Sequence, residues 1–163
     1  MTTQVINKIL SSNTGLGALA LRVPVGIILA AHGAQKLFGW FGGYGLEGTG
    51  QWMASIGLEP GYLMALLAGS AEFFGGLALV LGLLTRPAAA VSAVTMLVAI
   101  FSAHISSGFF LTNNGYEYAL ALFAATLALA IQGGGTLALD NGLRNLLAED
   151  RDPQALQPAG RTA

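Results

Sequence analysis

The chain has 163 residues, 54% of them hydrophobic and only 9% charged, with a formal net charge of −1. A soluble domain carries about 25% charged residues, and a domain of roughly 150 residues still exposes about a third of its unfolded surface, so this much apolar surface calls for lipid as its solvent. No basic run or aromatic-basic interleaving is present, which sets nucleic-acid binding aside, and the absence of cysteine removes disulfides, thiolate metal sites, iron–sulfur ligation and cysteine nucleophiles.

In chain order, residues 1–14 read as a cytoplasmic or interfacial segment in which Val5, Ile6, Ile9 and Leu10 share one side. The first apolar run, 15–38, is long enough to cross a bilayer, which takes roughly 20 residues. A signal peptide is the alternative, with Lys8 before the run and Leu29-Ala30-Ala31 near its end. Arg22 inside the run and its length favour a membrane span. Residues 39–61 form a glycine-rich loop in which Trp40, Phe41, Tyr44 and Trp52 suit a membrane interface. A second span covers 62–84, a tight turn follows at Thr85-Arg86-Pro87, and a third span covers 88–107. The fourth, 116–132, is short and calls for adjoining residues or a locally thinned bilayer, and Gly133-Gly134-Gly135 marks its end. Residues 136–150, with Leu139, Leu143, Leu146 and Leu147, form a second interfacial segment, and 151–163 a polar, disordered tail.

The expected fold is therefore an all-α integral membrane four-helix bundle over residues 15–135. Lys8, Arg86, Arg144, Arg151 and Arg161 fall on one side of it, whereas the loops 39–61 and 108–115 contain no lysine or arginine. Positive residues are retained in the cytoplasm, so both termini are expected there, in a multi-pass protein of the cell membrane.

A charge near the bilayer centre costs roughly 2.5–3.5 kcal/mol on translocon scales, so each one asks for a reason. Arg22, His32, Lys36, Glu72 and His104 lie within the spans, and Glu117 sits at the outer end of the fourth. At about 1.5 Å per residue, His32 and His104 fall at similar depth, roughly 10 Å outward of the midplane, where they can face each other. Gly69, Glu72 and Gly76 share a face of the second span, and Arg22, Gly26, Gly33 and Lys36 a face of the first. Small residues allow close approach of membrane helices, so Arg22 and Glu72 are expected to point inward and to pair.

Each of these residues also has a purely structural reading. Arg22 with Glu72 serves as a register-fixing ion pair, Lys36 as a side chain snorkelling to the interface, and the two histidines as neutral, hydrogen-bonded groups. A metal site of His32, His104 and Glu72 or Glu117 is chemically allowed, but no local ligand spacing supports it, and a bis-histidine haem fits a small bundle poorly. No metal or haem is therefore expected.

Taken together, several motifs resemble the DoxX family of membrane proteins. They are His32-Gly33-Ala34-Gln35-Lys36-Leu37-Phe38-Gly39, Gly45-Leu46, Gly48-Thr49, Leu67-Ala68-Gly69, Glu72-Phe73-Phe74-Gly75-Gly76, Gly82-Leu83-Leu84-Thr85-Arg86, Gly108-Phe109-Phe110, Asn114-Gly115-Tyr116-Glu117-Tyr118 and Leu139-Asp140. His104 belongs to the same series, and the resemblance runs from about Arg22 to Asp140. The resemblance implies a four-helix membrane fold and, for some relatives, a link to quinone-dependent oxidoreductases such as thiosulfate:quinone oxidoreductase, or to oxidative stress and resistance to quinones and catechols. It carries no catalytic residue set.

The function expected from these readings is a redox accessory or oxidoreductase subunit binding a quinone or small aromatic molecule. His32, His104 and Glu72 would be its proton-handling groups, and Arg22, Lys36, Trp40, Phe109, Tyr116 and Glu117 its binding groups, because quinone reduction consumes protons. Membrane lipid, a redox partner protein and a second copy of the chain are the expected partners. A small-solute carrier and a membrane scaffold are the competing readings. Too few helices and no evident inverted repeat argue against a self-sufficient carrier.

Overall fold

The computed structural model describes residues 14–143. The segments expected at 1–14 and 151–163, together with Leu146 and Leu147 and with the cations Lys8, Arg144, Arg151 and Arg161, lie wholly or almost wholly outside the described residues.

Within them the chain is helical, with no strand. Helix α1 spans Thr14–Phe38, α2 Gly45–Ser55, α3 Gly61–Leu81, α4 Thr85–Ala99 and α5 Glu117–Gln132. A π-helical turn at Ile100–His104 and a 3-10 turn at Ile105–Ser107 continue α4. Three helical segments, Gly15–Phe38, Gly61–Leu81 and Thr85–Ser107, are long and apolar enough to cross a membrane, and α5 is an apolar helix of 16 residues. Only 33%, 28% and 28% of the apolar windows in those three segments are buried inside the protein. Phe74, Val94, Phe101 and Ile131 are among the large side chains left outside. A bundle in water would be expected to turn its apolar side chains inward, so this distribution fits lipid contact.

The four longer helices close into a ring, α1 against α3, α3 against α4, α4 against α5 and α5 against α1. Val25, Leu29, Leu79, Ala89, Met96, Leu122 and Leu129 form its core. The tightest crossing is α1 on α3, and glycine makes it possible. A Cβ at Gly26 would lie 2.6 Å from the Gly76 carbonyl oxygen, and one at Gly33 would lie 2.7 Å from that of Gly69. This is the close-approach packing expected of small residues in membrane helices.

The second span expected at 62–84 ends three residues early. Gly82 takes the left-handed conformation at φ 68°, and Leu83 N–H and Gly82 N–H donate to the carbonyls of Ala78 and Leu79 at 2.9 and 3.1 Å, a closure that terminates helices. The next helix starts at Thr85 rather than at residue 88. Asp140 caps it from a distant part of the chain, accepting from Leu84 N–H at 2.6 Å and Thr85 N–H at 2.9 Å, two of the donors a helix start leaves unpaired. Asp140→Ala is expected to cost about 1–2 kcal/mol of stability, as loss of a helix cap does, with Asp140→Asn milder. Thermal unfolding in detergent micelles that is unchanged by Asp140→Ala would refute this role.

The loop expected over 39–61 is not irregular. It holds α2, which packs on the start of α3, where a Cβ at Gly50 would lie 3.0 Å from Tyr62 Cα. Thr49, Gly50 and Met53 are its buried residues.

Candidate functional site

Charged side chains gather at two opposite ends of the ring. At the end where α3 stops and α4 begins, Arg22 is 2% exposed. Its guanidinium donates to the carbonyls of Leu79 and Val80 at 2.9 and 2.5 Å, of Gly134 at 3.1 Å and of Leu137 at 2.8 Å. These acceptors are in the last turn of α3 and the segment after α5, where carbonyls lack the usual donor four residues on and the helix dipole is negative. Arg22 therefore ties α1, α3 and the chain beyond α5 together.

The expected pairing of Arg22 with Glu72 does not form. Glu72 instead pairs with Lys36, Nζ to Oε2 at 2.5 Å. The antiparallel register explains the difference. With Gly26 on Gly76 and Gly33 on Gly69, Arg22 falls opposite Val80, about eight residues or roughly 12 Å along α3 from Glu72. Side chains lean toward the start of their own helix, so Arg22 and Glu72 lean apart. Lys36 falls opposite Leu66, and it and Glu72 lean toward each other.

At the opposite end of the ring a half-open cavity of about 1140 Å³ is lined by His32, Gln35, Lys36, Glu72, His104 and Tyr118, among others. His32 and Lys36 stand one turn apart on α1, Glu72 comes from the middle of α3, His104 closes the π-helical turn after α4, and Tyr118 begins α5. Thr49, Trp52 and Met53 of α2 also line the cavity. Leu67 of α3 and Val91, Val94 and Val98 of α4 line it too while remaining exposed, so the cavity reaches the flank of the bundle formed by α3 and α4. Its chemistry is that of a ligand pocket, apolar walls with few polar groups.

The polar groups are individually held. Glu72 is only 4% exposed at its side chain and Lys36 23%. The His32 ring stands 6.2 Å from that of Tyr118, inclined by 53°. His104 Nδ1 lies 2.9 Å from the Asn114 carbonyl oxygen. Gln35 Nε2 donates to the Phe41 carbonyl at 3.3 Å, tying the end of α1 to the loop after it.

Of the residues singled out in the sequence, His32, Lys36, Glu72 and His104 meet at this cavity, whereas Arg22, Trp40, Phe109, Tyr116 and Glu117 do not line it. Trp40 stacks beside Phe38 with ring centroids 5.1 Å apart. Phe109 packs edge-on against Tyr116 at 5.4 Å. Glu117 Oε1 accepts from Leu111 N–H at 2.6 Å, bracing the loop that carries Asn114. Gln35, Asn114, Tyr118 and the α2 residues were not read as site residues. The first three stand within the family-like motifs, whereas the glycines of Gly45–Ser55 mask a helix in the sequence pattern. Among the described residues, no three His, Cys, Asp or Glu side chains come together as a metal site.

The DoxX family profile matches residues 17–105. The chain is 37% identical over 125 residues to CatD of Bacillus subtilis, which carries a provisional oxidoreductase name, covering 77% of this chain and 85% of that one. It is 34% identical over 128 residues to an uncharacterised protein of Haemophilus influenzae, with 74% and 86% covered. With the inner membrane protein YqjF of Escherichia coli it shares 30% identity over 125 residues, 77% and 90% of the two chains. No solved structure matches. Three helices long and apolar enough to cross a membrane, packed through glycines, and a family profile matched over more than half of the chain make this chain a member of the DoxX family.

Proposed function

We propose that this protein binds a quinone or small aromatic molecule in the cavity that reaches the α3 and α4 flank and serves as a redox accessory or oxidoreductase subunit of the cell membrane. The observation that carries this reading is the convergence of His32, the Lys36–Glu72 pair and His104, from three different helices, on one large and otherwise apolar cavity that reaches the flank of the bundle. A bilayer-dissolved aromatic has access to such a cavity without leaving the hydrocarbon. The provisional oxidoreductase name of CatD points the same way.

The residues present fit such a ligand. The apolar walls match a ring, and Lys36 supplies N–H donors to a ligand oxygen while remaining neutralised by Glu72. A quinone, when bound, is a two-electron acceptor that takes up protons. His32 and His104 are placed to hold or pass protons at the ring oxygens. Electrons would come from a partner protein, and a second copy of the chain is a further candidate partner.

The orientation belongs to the same proposal. With α5 as a fourth crossing and Arg86 on the cytoplasmic side, both termini are cytoplasmic and the cavity lies in the outer half of the membrane.

The test is the ultraviolet–visible spectrum and small-molecule mass spectrum of protein purified in native lipid nanodiscs. A co-purifying quinone or aromatic is expected, reduced at least about tenfold in folded His32→Ala and His104→Ala proteins. Unchanged ligand content in both variants would overturn the assignment of the site.

A further inference from the structure

We infer that the cavity position facing His104 is built for a hydroxyl group, so that the site selects the reduced, hydroxyl-bearing form of an aromatic ligand over the matching carbonyl form. The inference rests on the proposed function and names the ligand class more narrowly. A backbone carbonyl only accepts hydrogen bonds, so the 2.9 Å contact from His104 Nδ1 to the Asn114 carbonyl requires the proton on Nδ1. A neutral ring then has Nε2 as an acceptor, with no protein hydrogen bond among the described residues, on a side chain that lines the cavity. An acceptor matches a ligand O–H and leaves a ligand C=O facing a lone pair.

The geometry around the ring holds this tautomer in place. His104 ends the π-helical turn Ile100–His104, a local widening of the helix that recurs at functional sites. Asn114 sits in the left-handed region at φ 62° and ψ 26°, a conformation asparagine tolerates better than most residues. The loop that carries it is closed by Tyr116 N–H on the Gly108 carbonyl at 3.1 Å and by Glu117 N–H on that of Phe109 at 2.9 Å. The Glu117 carboxylate on Leu111 N–H braces the same loop. Glu117 and Asn114 are thereby positioning residues, acting through the carbonyl that orients His104.

The experiment uses the full chain in lipid nanodiscs with three probes: tert-butylhydroquinone, its dimethyl ether and tert-butylquinone. The hydroquinone is expected to bind at least about tenfold more tightly than either of the others, and the preference is expected to vanish in His104→Ala. Nitrogen-15 spectra of histidine-labelled protein, assigned with His104→Gln, are expected to show His104 protonated at Nδ1 and bare at Nε2. Asn114→Gly should keep that signature, whereas Asn114→Val, which disfavours the left-handed backbone, should weaken it. Equal or tighter binding of the quinone, or a proton found on Nε2 in the unmodified protein, overturns the inference and leaves the proposed function standing. Failure of all three probes to bind counts against the proposed function itself and removes the inference with it. The chain has two histidines, so the spectrum of the unmodified protein is assigned with His104→Gln or with His32→Gln, whichever variant folds.

Discussion

Replacing Arg22 by leucine is expected to destabilise the protein by at least about 3 kcal/mol, since hydrogen bonds to a charged group contribute about 1.5–3 kcal/mol each and are not additive. Four carbonyls, those of Leu79, Val80, Gly134 and Leu137, accept from this one guanidinium. Leucine fills the space but takes the guanidinium from the Leu79 and Val80 carbonyls where little water reaches, and Leu79 keeps only the donor from Gly82 N–H. Arg22→Lys is expected to recover less than half of the loss, because a compact ammonium cannot serve acceptors spread around a planar fork. Unfolding by titration with sodium dodecyl sulfate in mixed micelles measures the difference. Wild-type stability in Arg22→Leu would show that the carbonyls find other partners.

The second large effect concerns Lys36 and Glu72. Removing one member of a buried pair strands the other, at a cost of about 3–5 kcal/mol, whereas replacing both with apolar residues is often neutral. Lys36→Met is therefore expected to be strongly destabilising, and Lys36→Met combined with Glu72→Met to recover most of the loss. The double variant also separates the two roles the pair could have. If the pair only fixes helix register, the stable double variant retains bound ligand. If it works at the site, as proposed, the variant is folded and its ligand content falls by about tenfold or more. The same micelle titration, with mass spectrometry of the bound fraction, gives both readouts.

Both predictions turn on a feature that composition does not encode. Facing glycines placed Arg22, Lys36 and Glu72 on the α1–α3 contact, and that placement was legible in the sequence. Which cation meets Glu72 was not, because it depends on the register of two antiparallel helices and on the lean of each side chain toward its own helix start. Arg22 consequently became an anchor for the end of α3, and Lys36, whose sequence context favours a snorkelling side chain, became the ion-pair partner at the cavity.

Asp140 makes the same point at the other end of the ring. It was noted only as part of a motif, yet it caps α4 across more than fifty residues of chain. A capping residue close in sequence can be read from spacing, but one delivered by a distant segment cannot. The aromatic residues show the reverse: Trp40, Phe109 and Tyr116 look like a binding rim in the sequence, yet they pack on neighbouring aromatic rings, and the aromatic part of the cavity wall is Tyr44, Trp52 and Tyr118.

The sequence by itself determined the solvent and the long helices, because apolar runs near 20 residues with few charges have few other uses. It also determined that the few intramembrane ionisable residues would matter, because hydrocarbon makes each of them costly. Only the tertiary structure decided that α2 folds over the cavity, that His32, Lys36, Glu72 and His104 share that cavity, and that Arg22 lies outside it. Those outcomes depend on helix register, side-chain direction and loop closure, and each couples residues far apart in the chain through distances that no local pattern records.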